Sequence, residues 1–514
     1  MSGPMSVLAS LTETRRRTLI TVALVLVFAT ALRLYNIGWS FSNNGVDEGV
    51  MLQRALLISR DFDLYTDIPC DQAPLAFYFG ALLKGDVVTL RALNAFLSVA
   101  AIGACMFVAR KLGGNIAMVA TGLFLAVDFA FVREARLFSL DGMSSYLLAF
   151  ALLSFHYYAK RGDRLAVFVA GLFVGLSAAV KLIGGLGLLA LILFFVFEAV
   201  RERSFKASKA VDLGIMVGAS AVPLGLFLVA LGPSEMLQGM LFDQTHREFE
   251  PMFKLSILAF LGLNLTYILP LVYARELWAD GPEVRYLLVV TGVVLAFMVL
   301  QPLVFFHHMV FMSPALAIMA GLVTAETVNF KKGHVKGSRL HRALKKDITM
   351  RRFATAIIMV DLVASMGLAF YGVVAQDEPS EIVYAEKLGE MTNSTDYVIC
   401  GDPLIATYAD RLVPPEVVNV AYRRYPQLTL EDLETAIDKY DVSVVVVCFR
   451  LKEVEGFTQY LTDNGFLLVQ YWYIGHGDDT VLDLFEGSID PTYFYVRADV
   501  AEYRGIPTVS PVSS

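Results

Sequence analysis

Ser177-Ala178-Ala179-Val180-Lys181-Leu182-Ile183-Gly184-Gly185 decides how the rest of the chain is read. It joins two apolar runs, Leu165–Val180 and Leu182–Val200. Each comes near the roughly 20 residues that cross about 30 Å of hydrocarbon. A lysine in so apolar a stretch is costly unless it is paired or reaches a wet interface. Lys181 therefore marks a turn between two membrane crossings. Snorkelling of its ammonium to lipid headgroups is the plainer account of the same residue.

Runs of this kind recur along the first three-quarters of the chain. The first, Leu19–Ala31, is extended by Leu32, Leu34 and Tyr35. Ala29-Thr30-Ala31 resembles a signal-peptide cleavage site, but the extension favours a span. Further spans are expected at Leu90–Val108, Ile116–Val132, Met143–Tyr158, Leu213–Leu231, Leu255–Tyr273, Tyr286–Leu300, Met309–Val328 and Phe353–Val374. The total is about eleven. At 514 residues, 56% apolar and 18% charged, with a mean hydropathy of +0.59, the composition excludes a soluble enzyme. A formal charge of -7 argues against nucleic acid as a partner.

Charge orients the spans. Arg110-Lys111, Lys160-Arg161, Arg201–Lys209 and Lys331–Arg352 all fall on one side, which the positive-inside rule makes cytoplasmic. The N-terminus joins them. The loops Asn36–Thr89, Arg133–Leu140 and Gly232–Lys254 fall outside, as does a tail with 24 carboxylates against 9 Lys/Arg from Gln376 onward. Residues 1–375 thus read as a multi-pass α-helical membrane domain with an outer catalytic loop at 36–89. Residues 376–514 read as an extracytoplasmic soluble α/β domain. In it Asp396–Cys400, Val442–Phe449 and Phe466–Tyr473 are strand-like, while Leu430–Tyr440 and Thr458–Asn464 are helical. Asn393-Ser394-Thr395 is a glycosylation sequon compatible with an outer tail. The four cysteines lack metal-type spacing, and Cys400 and Cys448 read as buried strand residues rather than a disulfide.

The outer loops carry the chemistry-bearing residues. Asn43-Asn44-Gly45-Val46-Asp47-Glu48-Gly49-Val50 places two acids side by side just after the first span. On a helix, neighbours point about 100° apart, so the two cannot share one proton. The bland alternative is a helix start, capped by Asn43 or Asn44, with acids favoured in its first turn. Asp71 follows in Asp71-Gln72-Ala73-Pro74-Leu75. Arg136 and Asp141 lie in the outer turn Arg133–Asp141. His307-His308 mark another, and His246 and Arg247 sit in the loop before the eighth span. Span interiors are nearly free of charge, whereas transporters usually place ionisable groups near the midplane. Polar groups at the rim suit a substrate with an apolar tail in the bilayer and a phosphate at its surface.

In these residues the chain resembles the dolichyl-phosphate-mannose protein mannosyltransferases and the wider GT-C class, which includes the lipid A aminoarabinose transferases. The family's Asp-Glu pair is matched by Asp47-Glu48, and its Asp-x-His-Pro-Pro-Leu partly by Asp71-Gln72-Ala73-Pro74-Leu75. Its Arg-x-x-x-x-Asp is matched by Arg136 and Asp141, and its Lys-x-x-Gly by Lys181 and Gly184. These cover roughly Arg33 to Leu191. Gln72 and Ala73 depart from the family pattern, and the large insert of the eukaryotic enzymes before the eighth span is replaced by Gly232–Lys254.

The resemblance implies a GT-C fold, a polyprenyl- or dolichyl-phosphate sugar donor and inverting in-line transfer to an acceptor hydroxyl. Asp47 would act as general base. Lys181 and Arg136, then His307 or His308, would hold the phosphate, and Glu48 would orient the donor sugar or a cation. Asp71 and Asp141 would complete the substrate contacts. Asp47, Glu48, Asp71 and His308 could hold a divalent metal if they converge. A phosphate leaving group lowers that need, so no cofactor is expected to be required. Mannose transfer to protein Ser/Thr is the first expectation. Transfer of an amino sugar or other sugar to a lipid or glycan is the second, and a lipid-phosphate flippase is the third.

Overall fold

The computed structural model describes residues 4–39, 45–203, 206–242, 249–328, 338–374, 378–420, 427–472 and 492–508. Asn43, Asn44, His246 and Arg247 lie outside them. The protein is mostly helical, and all the expected spans fall in helix. Six helices are long and apolar enough to cross a membrane, or up to eight if each bent helix pair is one span. That range is what length and composition of the described helices support; the count of eleven is not confirmed by it. Helices such as Arg164–Val180 and Ser313–Val328 are apolar but short. Others are interrupted, as where Val87–Val127 breaks at Gly114, whose φ is 77°.

Contacts divide the chain into two compact units. The first comprises Met1–Tyr35, Ala92–Leu226 and Phe249–Ala375. Its helices pack through small residues. A Cβ on Gly171 would lie 2.3 Å from Met216 O, and one on Gly175 2.3 Å from Ser220 O. The helices Arg164–Val180 and Ala207–Leu231 therefore touch backbone to backbone, as small residues four apart allow in lipid. One span is broken. Pro251–Leu263 and Leu265–Val272 meet at 97°, and the amides exposed by the bend are taken up by Asp361. Its two oxygens accept from Leu265 N at 2.8 Å and Thr266 N at 3.0 Å. Unpaired amides in hydrocarbon cost several kcal/mol each, so the carboxylate makes the break tolerable.

The second unit gathers Asn36–Arg91, Phe227–Glu248 and Gln376–Ser514. The expected outer loop, residues 36–89, falls within this unit together with the tail. The tail carries a four-stranded mixed sheet of order β1-β2-β4-β3. β1 (Val398–Cys400) runs parallel to β2 (Val444–Val447); β4 (Thr492–Arg497) runs antiparallel to both β2 and β3 (Phe466–Trp472). All four valines of β2 are buried, as expected of a strand covered on both faces. The helices Leu430–Lys439 and Phe457–Asp463 stand where the spacing predicts them. Thr429 and Asp432 form a capping box on the first. All four cysteines are buried and free.

Candidate active site

In the second unit, an acid-bearing helix runs from Gly45 to Ile58, with Asp47 and Glu48 in its first turn. There the N-terminal dipole favours carboxylates. The expected angular separation gives the two acids different surroundings. Glu48 is 2% exposed and grips Arg91, with Nε to Oε1 at 2.8 Å and Nη2 to Oε2 at 2.6 Å. Arg91 Nη1 also donates to Ile37 O and Gly38 O. The guanidinium stands 5.7 Å from the ring centre of Tyr408, whose hydroxyl donates to Gly38 O at 2.9 Å. Glu48 thus holds an internal arginine. Asp47 is half-buried.

Asp71 lies 3.5 Å from Arg54 Nη2 of the acid helix, and Gln72 Nε2 donates to its Oδ2 at 3.2 Å. The glutamine that departs from the family pattern thus steadies the adjacent acid. A further acid, Asp402, follows β1. It caps the helix Pro403–Tyr408 by accepting from Leu404 N at 2.9 Å. Burial and Glu381, followed by Glu48 and Asp47, hold its carboxyl well above the usual range.

In the first unit, Ser139 caps the helix Leu140–Arg161 and places Asp141 in its first turn. Lys181 terminates Arg164–Val180 in an extended conformation, and its Nζ meets Asp141 Oδ2 at 2.5 Å. Both side chains are at least nine-tenths buried. This is pairing, not snorkelling. His307 Nε2 is 3.9 Å from the same oxygen, and the rings of His307 and His308 meet edge-on at 4.5 Å. Phe305 stacks on His307, and Phe305 N donates to His308 Nδ1 at 3.3 Å. Burial, helped by Lys181 and Arg133, holds the His307 imidazole well below its usual pKa, so it is neutral at pH 7.

Arg136 is tied to the first helix. Its Nη1 donates to Leu32 O, Arg33 O and Tyr35 O at 3.0, 3.3 and 2.6 Å, closing the C-terminal end of the first helix. Of the arginines in that turn, Arg133 is the one whose charge acts on His307, and it pairs with Glu134 at 2.5 Å. Asp141, His307 and His308 also offer three ligand atoms within 4.8 Å of one another, a set that suits a divalent ion. The ammonium of Lys181 already neutralises that carboxylate and opposes a dication beside it. A cavity of about 240 Å³ lined by Lys111, Asp280, Glu283 and Glu326 includes none of the candidate residues.

Residues 71–226 match the family model of dolichyl-phosphate-mannose-protein mannosyltransferases. No curated protein matches the sequence. Among solved structures, ArnT from Cupriavidus metallidurans bound to undecaprenyl phosphate is similar with a TM-score of 0.57 at 13% identity, over 94% of this chain and 98% of that one. The chain has a GT-C fold. The Archaeoglobus fulgidus oligosaccharyltransferase in its apo form gives 0.57 at 13% identity, over 92% of this chain and 75% of that one. The same enzyme, AglB, in complex with an inhibitory peptide and a dolichol-phosphate gives 0.55 at 14%, over 93% and 75%. Family match and GT-C fold together support glycosyltransferase activity. The matched segment of this GT-C chain contains Asp71, Arg136, Asp141 and Lys181; Asp47 and Glu48 precede it, and His307 and His308 follow it.

Proposed function

We propose that the protein transfers one sugar, mannose in the first instance, from a polyprenyl- or dolichyl-phosphate donor to an acceptor hydroxyl, on protein Ser/Thr, at the extracytoplasmic face. The observation that carries this reading is the buried Asp141–Lys181 pair beside His307 and Arg133, within and next to the segment that matches the mannosyltransferases. It sets two cations, each paired with a carboxylate, beside a neutral imidazole at a span end, where they can turn to a phosphate whose lipid tail stays in the bilayer.

Asp47 acts as general base. The acceptor oxygen attacks the anomeric carbon in line, its proton passes to Asp47, and the bond from carbon to phosphate oxygen breaks with inversion. A carboxylate with an ordinary pKa of about 3.9 is a poor base for a free alcohol. The proton moves late, when the oxygen is already bonding to carbon and has become acidic. The lipid phosphate departs as a stable anion, steadied by Lys181 and Arg136, and Arg133 adds a further cation that acts on His307. Each fixed cation contributes about 3 kcal/mol in a water-poor site. Glu48 anchors the acid helix through Arg91, and Asp71 contacts the acceptor side.

Asp47→Asn is expected to abolish transfer from dolichyl-phosphate mannose while leaving the protein inserted in the membrane. Undiminished turnover removes Asp47 from the mechanism. The fold shared with ArnT favours one second reading, transfer of an amino sugar to a lipid or glycan. Label from the donor appearing in lipid rather than in protein hydroxyls decides for it.

A further inference from the structure

We infer that the short tail helix Pro403–Tyr408 is a brace for the acid helix, and that Gly49 and Gln53 are positioning residues through which it sets where Asp47 stands. The inference rests on the reading of Asp47 as base and adds the part that holds it. Three contacts lie along one side of the acid helix. At Gly49, two residues after Asp47, a Cβ would lie 2.2 Å from Leu404 N and 2.7 Å from Pro403 C. The two backbones meet with room for hydrogen only.

One turn on, on the same face, Gln53 is fully buried and uses three of its amide's bonding sites on the tail. Nε2 donates to Thr407 Oγ1 at 3.1 Å and Arg411 O at 2.8 Å, and Oε1 accepts from Val413 N at 3.1 Å. The third contact runs through Arg91, which forks Glu48 on one side and stands over Tyr408 on the other. Asp402 keeps the brace helix in register by capping Leu404. These partners lie more than 350 residues apart in the chain. A buried amide is tolerated only when its bonds are made, so the seat has one register. A tail that merely hung from the last span would need neither the glycine nor the amide.

The test uses the full-length protein in nanodiscs with dolichyl-phosphate mannose as donor. It compares Gln53→Leu, Thr407→Val and Thr407→Ser. Gln53→Leu is expected to raise amide exchange across residues 45–58 at least tenfold and to lower kcat at least tenfold, with KM for the donor changed less than twofold. Thr407→Val, which deletes one hydroxyl, moves both in the same direction by a few-fold, and Thr407→Ser restores them. A purely structural loss of folded protein would lower the active fraction without raising exchange selectively in residues 45–58. Unchanged exchange in Gln53→Leu overturns the brace. Raised exchange with full turnover overturns the positioning role of the brace, while the role of Asp47 as base stands or falls separately with Asp47→Asn.

Discussion

Replacing Lys181 by Met separates the two jobs assigned to its ammonium, stability and phosphate binding. The Lys181–Asp141 contact is 2.5 Å, with side chains 10% and 4% exposed, so it behaves as a buried pair. Removing one partner of such a pair costs about 3–5 kcal/mol, because the other charge is left uncompensated. Here the loss is aggravated because Asp141 Oδ1 is buried without a hydrogen-bond partner among the described residues. Lys181→Met alone should therefore lower both unfolding midpoint and turnover. The informative variant is Lys181→Met with Asp141→Asn, which removes the stranded charge. Its stability should return to within about 1 kcal/mol of the parent, since a neutral pair of similar volume replaces the ions. Its turnover should stay down by about 10²–10³, the usual loss for one electrostatic donor in a transition state. The assay pairs denaturant unfolding in detergent with release of lipid phosphate from dolichyl-phosphate mannose. Turnover recovering along with stability in the double variant refutes the phosphate role and leaves the pair purely structural.

The depressed pKa of His307 sets a second expectation. Its native imidazole resists protonation, so below the ordinary value of about 6.5 the unfolded chain binds a proton that the folded one does not. Stability contributed by the neutral ring is full above that value. It falls as the pH drops below it, by at most about 1.4 kcal/mol per pH unit. His307→Gln should flatten the profile between pH 5 and 7; an unchanged slope places the titration elsewhere. Metal removal gives a third expectation. Chelation followed by dialysis should leave transfer within twofold, with bound metal checked by elemental analysis, and loss of activity restored by a single divalent ion reverses the assignment.

How much of this was legible in the sequence depends on the distance between partners. Apolar runs and basic loops speak locally, so each expected crossing is helical. Hydropathy windows do not register Gly114 or the bend at Asn264, so the count of eleven is not confirmed by the lengths of the described helices. Lys181 was marked because a cation in an apolar run needs a partner, and Asp141 supplies it. Arg91 stands at the same kind of position, at the start of a span, and the same argument would have found it. Arg133 and Arg136 are alike in sequence; only the fold sends one to the first helix's carbonyls and leaves the other near His307. Gln53 and Gly49 carry no local signal, because what they meet comes hundreds of residues later. β4 was missed because the alternation of Thr492–Arg497 is short and follows an acidic stretch.

Asp361 has a consequence for how the protein is made. The amides of Leu265 and Thr266 wait for an acceptor that lies 96 and 95 residues downstream. Until the last long helix, Ile348–Val374, enters the bilayer, the bent segment has nothing in oil to satisfy it. The bent segment is therefore expected to settle only when that helix arrives as a keystone.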